Sequence, residues 1–324
     1  MQWADFDEQR FYLCADDVYC LEKETGRLLW EFETFGGHSS APVIFGGRLF
    51  FQCGGLYALD AATGAVLWEF WTKNWATVSP VVGAGRVYAS AGKRMYCIDA
   101  ATGKRLWSVK SGSLKYAPVL IGSSLFFSRD ETIFCLDTSN GKVLWRFKVG
   151  SGRVQLLAAG ENLLSVGLEG LVRVHTAKTG KVQWQLDIGT PRTRILKKFG
   201  ECMKTWKVQL PFGTGIRPTR FFVLPAGQVL ISAGTLYFMN PENGVPLWTF
   251  KQKQLPVGEL RALGNQVFAR TFRGEMFCVS LHDGALIRQL HLPDGGLLLT
   301  DTNGAIFVPS SPSREVVCLS VPAL

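Results

Sequence analysis

Short runs of aromatic, leucine and β-branched residues follow one another along the chain, separated by turns that contain Gly, Pro or Asp. The stretch Ala41–Phe70 shows the pattern, because APVIF, RLFFQC, LYALD and VLWEF are divided by Gly-Gly, Gly-Gly and AATG. Such runs are typical of strands joined by tight turns. No unit carries an apolar stripe at helical spacing over about ten residues. The pattern therefore predicts sheets of four antiparallel strands.

The third and fourth runs belong to a phrase that recurs seven times, for example as LYALDAATGAVLWEF at Leu56–Phe70. The turn glycines of the seven copies are Gly26, Gly64, Gly103, Gly141, Gly180, Gly244 and Gly284. They lie 38 to 40 residues apart, except for a spacing of 64 residues between the fifth and the sixth. A period of this size indicates a propeller or a solenoid. Hairpin turns at every step favour the propeller, whose blades leave only short sheet edges.

The two chain ends decide the number of blades. Trp3–Glu22 aligns without gaps on Ala41–Asp60, so the first blade has a short innermost strand and is complete. After the seventh phrase, GLLLTDT, AIFVPSS and REVVCLSV predict three more strands. We therefore predict an all-β fold, an eight-bladed β-propeller of four-stranded antiparallel blades rather than a seven-bladed one, and a single domain over residues 1–324. The last blade either stays three-stranded or takes an outer strand from Met1–Phe6.

The phrases follow a pattern of Ala or Cys, then Asp, Thr-Gly and Trp at fixed distances, which is clearest as Ala58, Asp60, Thr63, Gly64 and Trp68. This pattern resembles the tryptophan-docking motif of the PQQ-like (pyrroloquinoline quinone repeat) β-propeller family. That family includes quinoprotein dehydrogenases and the outer-membrane assembly propeller lipoprotein. The resemblance spans nearly the whole chain and implies the fold. Because enzymes, scaffolds and ligand sensors share the motif, it does not imply one activity.

Six tryptophans take one place in the repeat, where an indole ring can fill the wedge between blades and donate its N–H to a main-chain acceptor. These structural docking residues are Trp30, Trp68, Trp107, Trp145, Trp184 and Trp248. Arg288 takes this place in the seventh copy, so the adjoining interface should be the least well filled. Asp60, Asp99 and Asp137 also repeat in register, which favours turn capping over catalysis.

Five of the eight cysteines share one third-strand position, held by Ala58 in the second blade. Their repetition indicates small buried apolar residues, too far apart around a ring to form disulfides. Free thiols favour a cytoplasmic location. No Cys-x-x-Cys occurs and the four histidines are scattered, so we expect no metal site. The N-terminus lacks the features of a signal peptide, no apolar run reaches the roughly 18 residues that cross a bilayer, and we expect a monomer.

The resemblance to quinoprotein dehydrogenases implies an adjacent cysteine pair, acidic and amide calcium ligands and a catalytic Asp. No Cys-Cys dipeptide is present, and neither a Cys-x-x-Cys-His haem site nor a Gly-x-Ser-x-Gly elbow occurs. We therefore predict no catalytic residue and no cofactor, since the site residues give no support for PQQ. A PQQ-dependent quinoprotein dehydrogenase remains the alternative.

One candidate ligand site is the mouth of the central channel, where the segments leading into the innermost strands converge with the loops between second and third strands. Aligning those segments places there Lys115, Tyr116, Arg153, Gln155, Arg217, Arg220, Glu259 and Arg261. Arg94, Arg129 and Arg273 from the neighbouring loops add positive charge. The cluster can bind an anionic small molecule, including a quinone tricarboxylate, through charge-assisted hydrogen bonds. The alternative is a solvated channel rim.

A second candidate is a basic insertion at about residues 190–216, which accounts for the long glycine spacing. Thr190–Arg220 contains eight Lys or Arg and one Glu, and so carries most of the chain's net charge of +9. An acidic protein, a nucleic-acid backbone or an anionic membrane surface suits such a segment. We expect an acidic protein partner, bound by Arg192, Arg194, Lys197, Lys198 and Trp206.

Further expectations concern the structure of the basic insertion and a separate aromatic patch. Phe199, Met203 and Trp206 stand at helical spacing, which permits a short amphipathic helix, although Gly200 weakens that interpretation. The alternative for the whole insertion is a solvated loop. Trp71 and Trp75 exceed what the repeat needs and suggest a contact patch. Together these features predict a non-catalytic propeller that acts as a protein-interaction scaffold or a ligand-sensing module.

Overall fold

The computed structural model places most of the chain in strands and no described residue in a helix. The described residues are 3–14, 17–34, 40–72, 78–150, 154–167, 171–187, 205–207, 220–224, 228–232, 235–240, 242–251, 257–271, 274–291, 299–300, 305–309 and 316–320. The chain divides into two compact units, Met1–Leu156 and Leu157–Leu324. Within the described residues, no helix is long and apolar enough to cross a membrane.

The first unit contains four antiparallel sheets in which each strand pairs with the next one along the chain. The sheets are β1 (Trp3–Phe6), β2 (Arg10–Cys14), β3 (Val18–Glu22) and β4 (Leu28–Phe32); β5 (Val43–Phe45), β6 (Arg48–Cys53), β7 (Gly55–Asp60) and β8 (Val66–Trp71); β9 (Val81–Gly83), β10 (Arg86–Ala91), β11 (Arg94–Asp99) and β12 (Arg105–Lys110); and β13 (Val119–Ile121), β14 (Ser124–Arg129), β15 (Thr132–Asp137) and β16 (Val143–Lys148). Because β1 pairs with β2, it is the innermost strand of the first sheet. The alternative in which Met1–Phe6 completes the last sheet is therefore wrong.

The remaining strands form four more sheets. They are β17 (Val154–Ala159), β18 (Asn162–Gly167), β19 (Leu171–Thr176), β20 (Val182–Asp187) and β21 (Thr205–Lys207); β22 (Arg220–Val223), β23 (Val229–Ser232), β24 (Thr235–Met239) and β25 (Pro246–Lys251); β26 (Val257–Leu263), β27 (Gln266–Thr271), β28 (Glu275–Ser280) and β29 (Leu286–His291); and β30 (Leu299–Thr300), β31 (Ala305–Pro309) and β32 (Val316–Ser320). The last sheet has three strands in the described residues. The prediction of an all-β propeller with eight blades is confirmed, while the single domain stays a prediction.

The third and fourth strands of the first seven blades share one irregularity. In blade 3 the register shifts between Cys97, which faces Trp107, and Ile98, which faces Arg105. The same shift recurs at the corresponding position of the other six blades. A bulge of this kind adds one residue to the outer strand and increases its twist. The docking tryptophan, such as Trp107, is thereby paired with the small residue of the third strand, such as Cys97.

Core clusters lie between successive sheets. Tyr12, Leu49 and Phe51 belong to a cluster that joins blades 1 and 2, while Val87 and Phe50 belong to one that joins blades 2 and 3. Each large apolar side chain removed from water contributes about 1.5–3 kcal/mol. Six described cysteines form no disulfide and are buried, and four of them, Cys14, Cys20, Cys53 and Cys97, lie in core clusters. Burial raises the pKa of four of their thiols to about 11, at Cys20, Cys97, Cys135 and Cys278.

Each docking tryptophan with a described partner reaches across to the next blade. The indole Nε1–H groups of Trp30, Trp68, Trp107 and Trp248 donate to the carbonyl oxygens of Ala61, Ala100, Thr138 and Leu281, at 3.2, 3.0, 2.9 and 2.7 Å. The rings lie on the turn glycines of the next blade. Gly141 has φ of 73°, and a Cβ there would lie 2.8 Å from Cε3 of Trp107. Only glycine combines that φ with that contact at no cost.

Two docking positions differ in their described surroundings. Trp184 lies on Gly244 in the same way and is almost fully buried. Trp145 is half-buried and packs against Phe126, with ring centroids 5.6 Å apart. Arg288, which replaces tryptophan in blade 7, is exposed. The side chains of blade 8 lie outside the described residues, so the poor filling of that interface stays a prediction.

Candidate interaction surfaces

The repeated aspartates are held in the turns between third and fourth strands. Oδ1 of Asp60 accepts hydrogen bonds from Thr63 Oγ1 at 2.9 Å, from the Thr63 amide at 2.9 Å and from the Ala62 amide at 3.0 Å. Asp99 makes the same three contacts in blade 3. The hydroxyl contact, followed by the amide contacts, lowers the pKa of both carboxyl groups. These acids therefore stay ionised as turn caps, the arrangement that the Asx turn favours.

The structure describes the predicted channel-mouth residues to different extents. Lys115 is exposed and Tyr116 half-exposed in the segment that leads into β13, and Gln155 is exposed near the start of β17. Arg261 in β26 is half-buried, and its Nη1 donates to the carbonyl oxygen of Leu260 at 2.9 Å. Arg220 lies in β22 and Glu259 in β26, where only their strand positions are described. Arg153, Arg217 and Arg273 lie outside the described residues.

Two arginines expected to add charge to the channel mouth have local partners. Nη2 of Arg94 donates to Oγ and O of Ser108, at 2.8 and 3.3 Å. Since Ser108 lies in β12, the outer strand of blade 3, this guanidinium is directed away from the innermost strand. Arg129 lies over the ring of Phe134 at 4.8 Å and next to Asp130 at 3.8 Å. Neither arginine is aimed at a ligand position by these contacts.

An exposed aromatic surface lies at the end of the outer strand of blade 2. Trp71 is 59% exposed, and its ring meets Tyr57 edge to face at 5.7 Å. Tyr57 stacks on Phe51 at 5.2 Å. The indole N–H of Trp71 donates to Oε2 of Glu69 at 2.8 Å. This arrangement holds a large apolar ring in solvent, as the predicted contact patch requires, whereas Trp75 lies outside the described residues.

A shallow cleft with room for about 10 Å³ lies between blades 2 and 3 beside this surface. Its lining is mostly apolar and includes Leu56, Phe70 and Tyr96, with Gln52 and Thr72 as polar members. Ligand sites for drug-sized molecules usually occupy about 300–1,000 Å³. The cleft therefore has room for about one water molecule and is too small to hold a cofactor.

The basic insertion is described only where it meets the outer edge of blade 5. Thr205–Lys207 forms β21, which pairs in parallel with Gln185–Asp187 of β20, so that Trp206 lies beside Leu186. The expectation of a helix is wrong at Trp206. The unpaired N–H and C=O groups of an edge strand can form main-chain hydrogen bonds with an added strand. At Trp206 this pairing is favoured over the helix that the spacing of three apolar residues suggested. Arg192, Arg194, Lys197 and Lys198 lie outside the described residues.

A second basic surface, which no sequence motif marks, lies along the outer strands of blades 3 and 4. Six cations are exposed there, namely Lys104, Arg105, Lys110, Lys142, Arg146 and Lys148. None of the six takes part in an ion pair within the described ranges. The corresponding strands of blades 1 and 2 carry Glu31 and Glu69 instead. Counting charge separately for each outer strand is the signal that would have found this surface.

Blade 5 contains a buried Ser–His pair. Oγ of Ser165 lies 2.7 Å from Nε2 of His175, and Nδ1 of His175 lies 3.1 Å from the carbonyl oxygen of Gly180. Because a carbonyl only accepts, Nδ1 carries the proton and Nε2 accepts from the serine. Both side chains are buried, and burial lowers the pKa of His175 to about 4. With its ring nitrogens engaged and no access from solvent, the pair has a structural role rather than that of a nucleophile and base.

The described residues do not fit a quinone–calcium site. No group of three or more His, Cys, Asp or Glu among them is arranged to hold a metal ion. The chain has no adjacent cysteine pair, and six of the described cysteines are buried.

Successive antiparallel sheets, bulged at one position and linked by docked tryptophans, define a β-propeller of the tryptophan-docking class. The family model described as outer membrane protein assembly factor BamB matches residues 6–74, 74–147 and 122–321. The chain therefore belongs to this family of PQQ-like propellers, as its motif indicated. A search of curated proteins finds no match.

Solved structures with the same fold differ widely in origin. The computationally designed Ika8 protein is 15% identical, with a TM-score of 0.75, and the match covers 98% of this chain and 95% of that one. BamB from Moraxella catarrhalis is 16% identical, with a TM-score of 0.69 and coverage of 97% and 92%. A europium-containing methanol dehydrogenase is 14% identical, with a TM-score of 0.69 and coverage of 94% and 81%. At these identities the similarity shows the fold alone.

Proposed function

We propose that this protein is a non-catalytic propeller that acts as a protein-interaction scaffold and binds an acidic protein partner through its basic insertion. The observation that carries the proposal is the pairing of β21 with β20, which attaches residues 205–207 within the insertion to the outer edge of blade 5. Trp184 and Leu186, next to this added strand, are buried, whereas the corresponding residues of blades 1 to 4 are half-buried. The insertion is thus anchored to a blade while it carries most of the net charge.

Charge supports an acidic partner. A segment with eight cations and one acid repels itself, and salt screens this repulsion only beyond about 10 Å. A negatively charged protein surface relieves that repulsion and increases the rate of encounter. We favour a protein over nucleic acid because the exposed Trp71 and the aliphatic residues of the outer strands suit apolar contacts with another protein.

The free, buried thiols support a cytoplasmic location as part of the proposal, since secreted domains commonly oxidise their cysteines. Ligand sensing is the alternative function. In that case Lys115, Tyr116 and Gln155, near the innermost strands of blades 4 and 5, contact an anionic small molecule.

Charge reversal of the insertion tests the proposal. We expect the variant with Arg192, Arg194, Lys197 and Lys198 all changed to Glu to fold normally and to lose a salt-sensitive partner in affinity capture from lysate at low and moderate salt. The matched control changes four exposed cations elsewhere, Lys178, Lys181, Lys251 and Arg288, to Glu. Recovery of the same partners by parent and insertion variant would contradict the proposal and leave a solvated loop.

A further inference from the structure

The outer strand of blade 4 is an exposed sheet edge that carries both aliphatic and basic side chains. β16 is the last strand of its four-stranded sheet, so alternate N–H and C=O groups along it are not used by the sheet. Val143 and Leu144 in β16 are 56% and 54% exposed. Apolar side chains on an open edge invite pairing with another chain. The edge is therefore one at which an added strand would gain both main-chain hydrogen bonds and apolar contact.

Positive charge surrounds these aliphatic residues. Lys142 precedes β16, and Arg146 and Lys148 lie within it, two residues apart and so on one face of the strand. All three side chains are exposed. Lys104 and Lys110, at either end of the outer strand of blade 3, are exposed as well. A guest strand with acidic residues at alternate positions would match the cations of β16.

The fold itself shows that an outer edge accepts an additional strand. In blade 5, β21 pairs in parallel with the fourth strand, β20. The fourth strand of blade 4 is β16, so β16 and β20 occupy the same position in their blades. The strand alignment VLWRF in blade 4 and VQWQL in blade 5 places Arg146 where β20 has Gln185. Blade 5 thus fills an edge from within the chain, whereas the edge of β16 has no further strand among the described residues.

We propose that β16 binds an extended, acidic segment of a partner protein by strand addition, with Arg146 and Lys148 facing carboxylates of the guest and Val143 and Leu144 facing its apolar residues. This inference rests on the proposed function and names a second contact for the same class of partner. The like charges of two copies of β16 repel one another, which disfavours pairing between copies of this chain. The same positive charges attract an acidic segment of a partner. The basic residues of β16 therefore favour the acidic partner over a second copy of this chain.

A synthetic peptide tests the mode of binding without knowledge of the natural partner. The probe is a fluorescent decapeptide of alternating Glu and Val, titrated with the full chain and followed by fluorescence anisotropy. We expect the variant Arg146→Glu with Lys148→Glu to raise the Kd about tenfold or more, since two attractions become two repulsions. Blade 2 carries Glu69 at the position of Arg146, so the fold accepts Glu there. The control, Lys178→Glu with Lys181→Glu, has the same net charge and should bind like the parent.

Main-chain pairing is tested by the same peptide N-methylated at alternate residues, which keeps its charge but removes N–H donors. Strand addition predicts that this peptide binds about tenfold more weakly or not at all. Equal affinity for both peptides would overturn the inference, and so would a loss of binding in the control equal to that in the β16 variant. Binding of phosphatidylserine vesicles or duplex DNA, without the peptide, would overturn it as well. If the peptide fails to bind but the insertion still captures a salt-sensitive protein, this inference falls and the proposed function stands.

Discussion

At the scale of single residues, the docking tryptophans show how one side chain joins two blades. Trp107 packs against Tyr88 of its own blade, with ring centroids 5.9 Å apart, and donates a hydrogen bond to the carbonyl of Thr138 in the next blade. Its ring fills the space that Gly141 leaves open. The contact combines apolar burial, one hydrogen bond and a backbone conformation that suits glycine.

Removing this ring should destabilise the fold. We expect Trp107→Ala to lower the free energy of unfolding by about 3–5 kcal/mol, the usual cost of deleting a packed aromatic side chain. Urea or thermal unfolding measures the change. Arg288→Ala, at the same repeat position but exposed, should alter stability by less than about 0.5 kcal/mol. Unchanged unfolding of Trp107→Ala would contradict the docking role.

The buried His175 should make stability depend on pH. Burial holds its pKa at about 4 in the folded state, below the ordinary value of 6.5. As the pH falls from 6.5 towards 4, the unfolded chain takes up the proton first, so the folded state loses up to about 3 kcal/mol relative to the unfolded state.

Urea unfolding at several pH values between 7 and 4 measures this loss. The control is His175→Leu with Ser165→Ala, because blades 2 and 4 have Leu59 and Leu136 where blade 5 has His175. The double variant should lack the part of the pH dependence that His175 causes. Identical pH profiles for parent and double variant would show that His175 is not responsible.

At the scale of elements, repetition explains what the sequence could predict. The strands of the first seven blades and the innermost position of Trp3–Phe6 followed from aligning repeats, because each repeat contains the turns and apolar runs of its own sheet. The expected helix at Trp206 was wrong because β21 pairs with a strand some twenty residues earlier, and no repeat encodes that pairing. The Ser165–His175 pair was also missed, since it occurs in blade 5 alone and replaces core residues of the other blades.

The candidate surfaces were less predictable than the strands. Sequence alignment placed Arg94 near the channel mouth, but its hydrogen bonds to Ser108 turn it towards the outer strand. The direction of a long side chain depends on neighbours in another strand, which a repeat alignment does not show. The six cations of blades 3 and 4 lie within regular repeat units. They were not predicted as a site because the candidate sites were sought where the sequence departs from the repeat.

At the scale of the whole molecule, the fold does not determine the activity. Structures of the same fold include a designed protein, an assembly factor and a methanol dehydrogenase, all below 20% identity to this chain. A propeller supplies rigid blades, and function depends on the side chains placed on them. The repeated acids cap turns here, whereas exposed cations lie on the outer strands of blades 3 and 4, and the basic segment contributes β21 to the outer edge of blade 5.

Zero-length carbodiimide cross-linking in lysate tests the central claim, that these surfaces contact an acidic protein. The reagent joins lysine amines to carboxylates in direct contact, and mass spectrometry identifies the joined residues. We predict cross-links from Lys197 or Lys198, and from Lys142 or Lys148, to Asp and Glu of one partner protein, lost in the insertion variant and the β16 variant respectively. The absence of any intermolecular cross-link from these lysines would contradict the account, and so would equally frequent cross-links from the control residues Lys178 and Lys181.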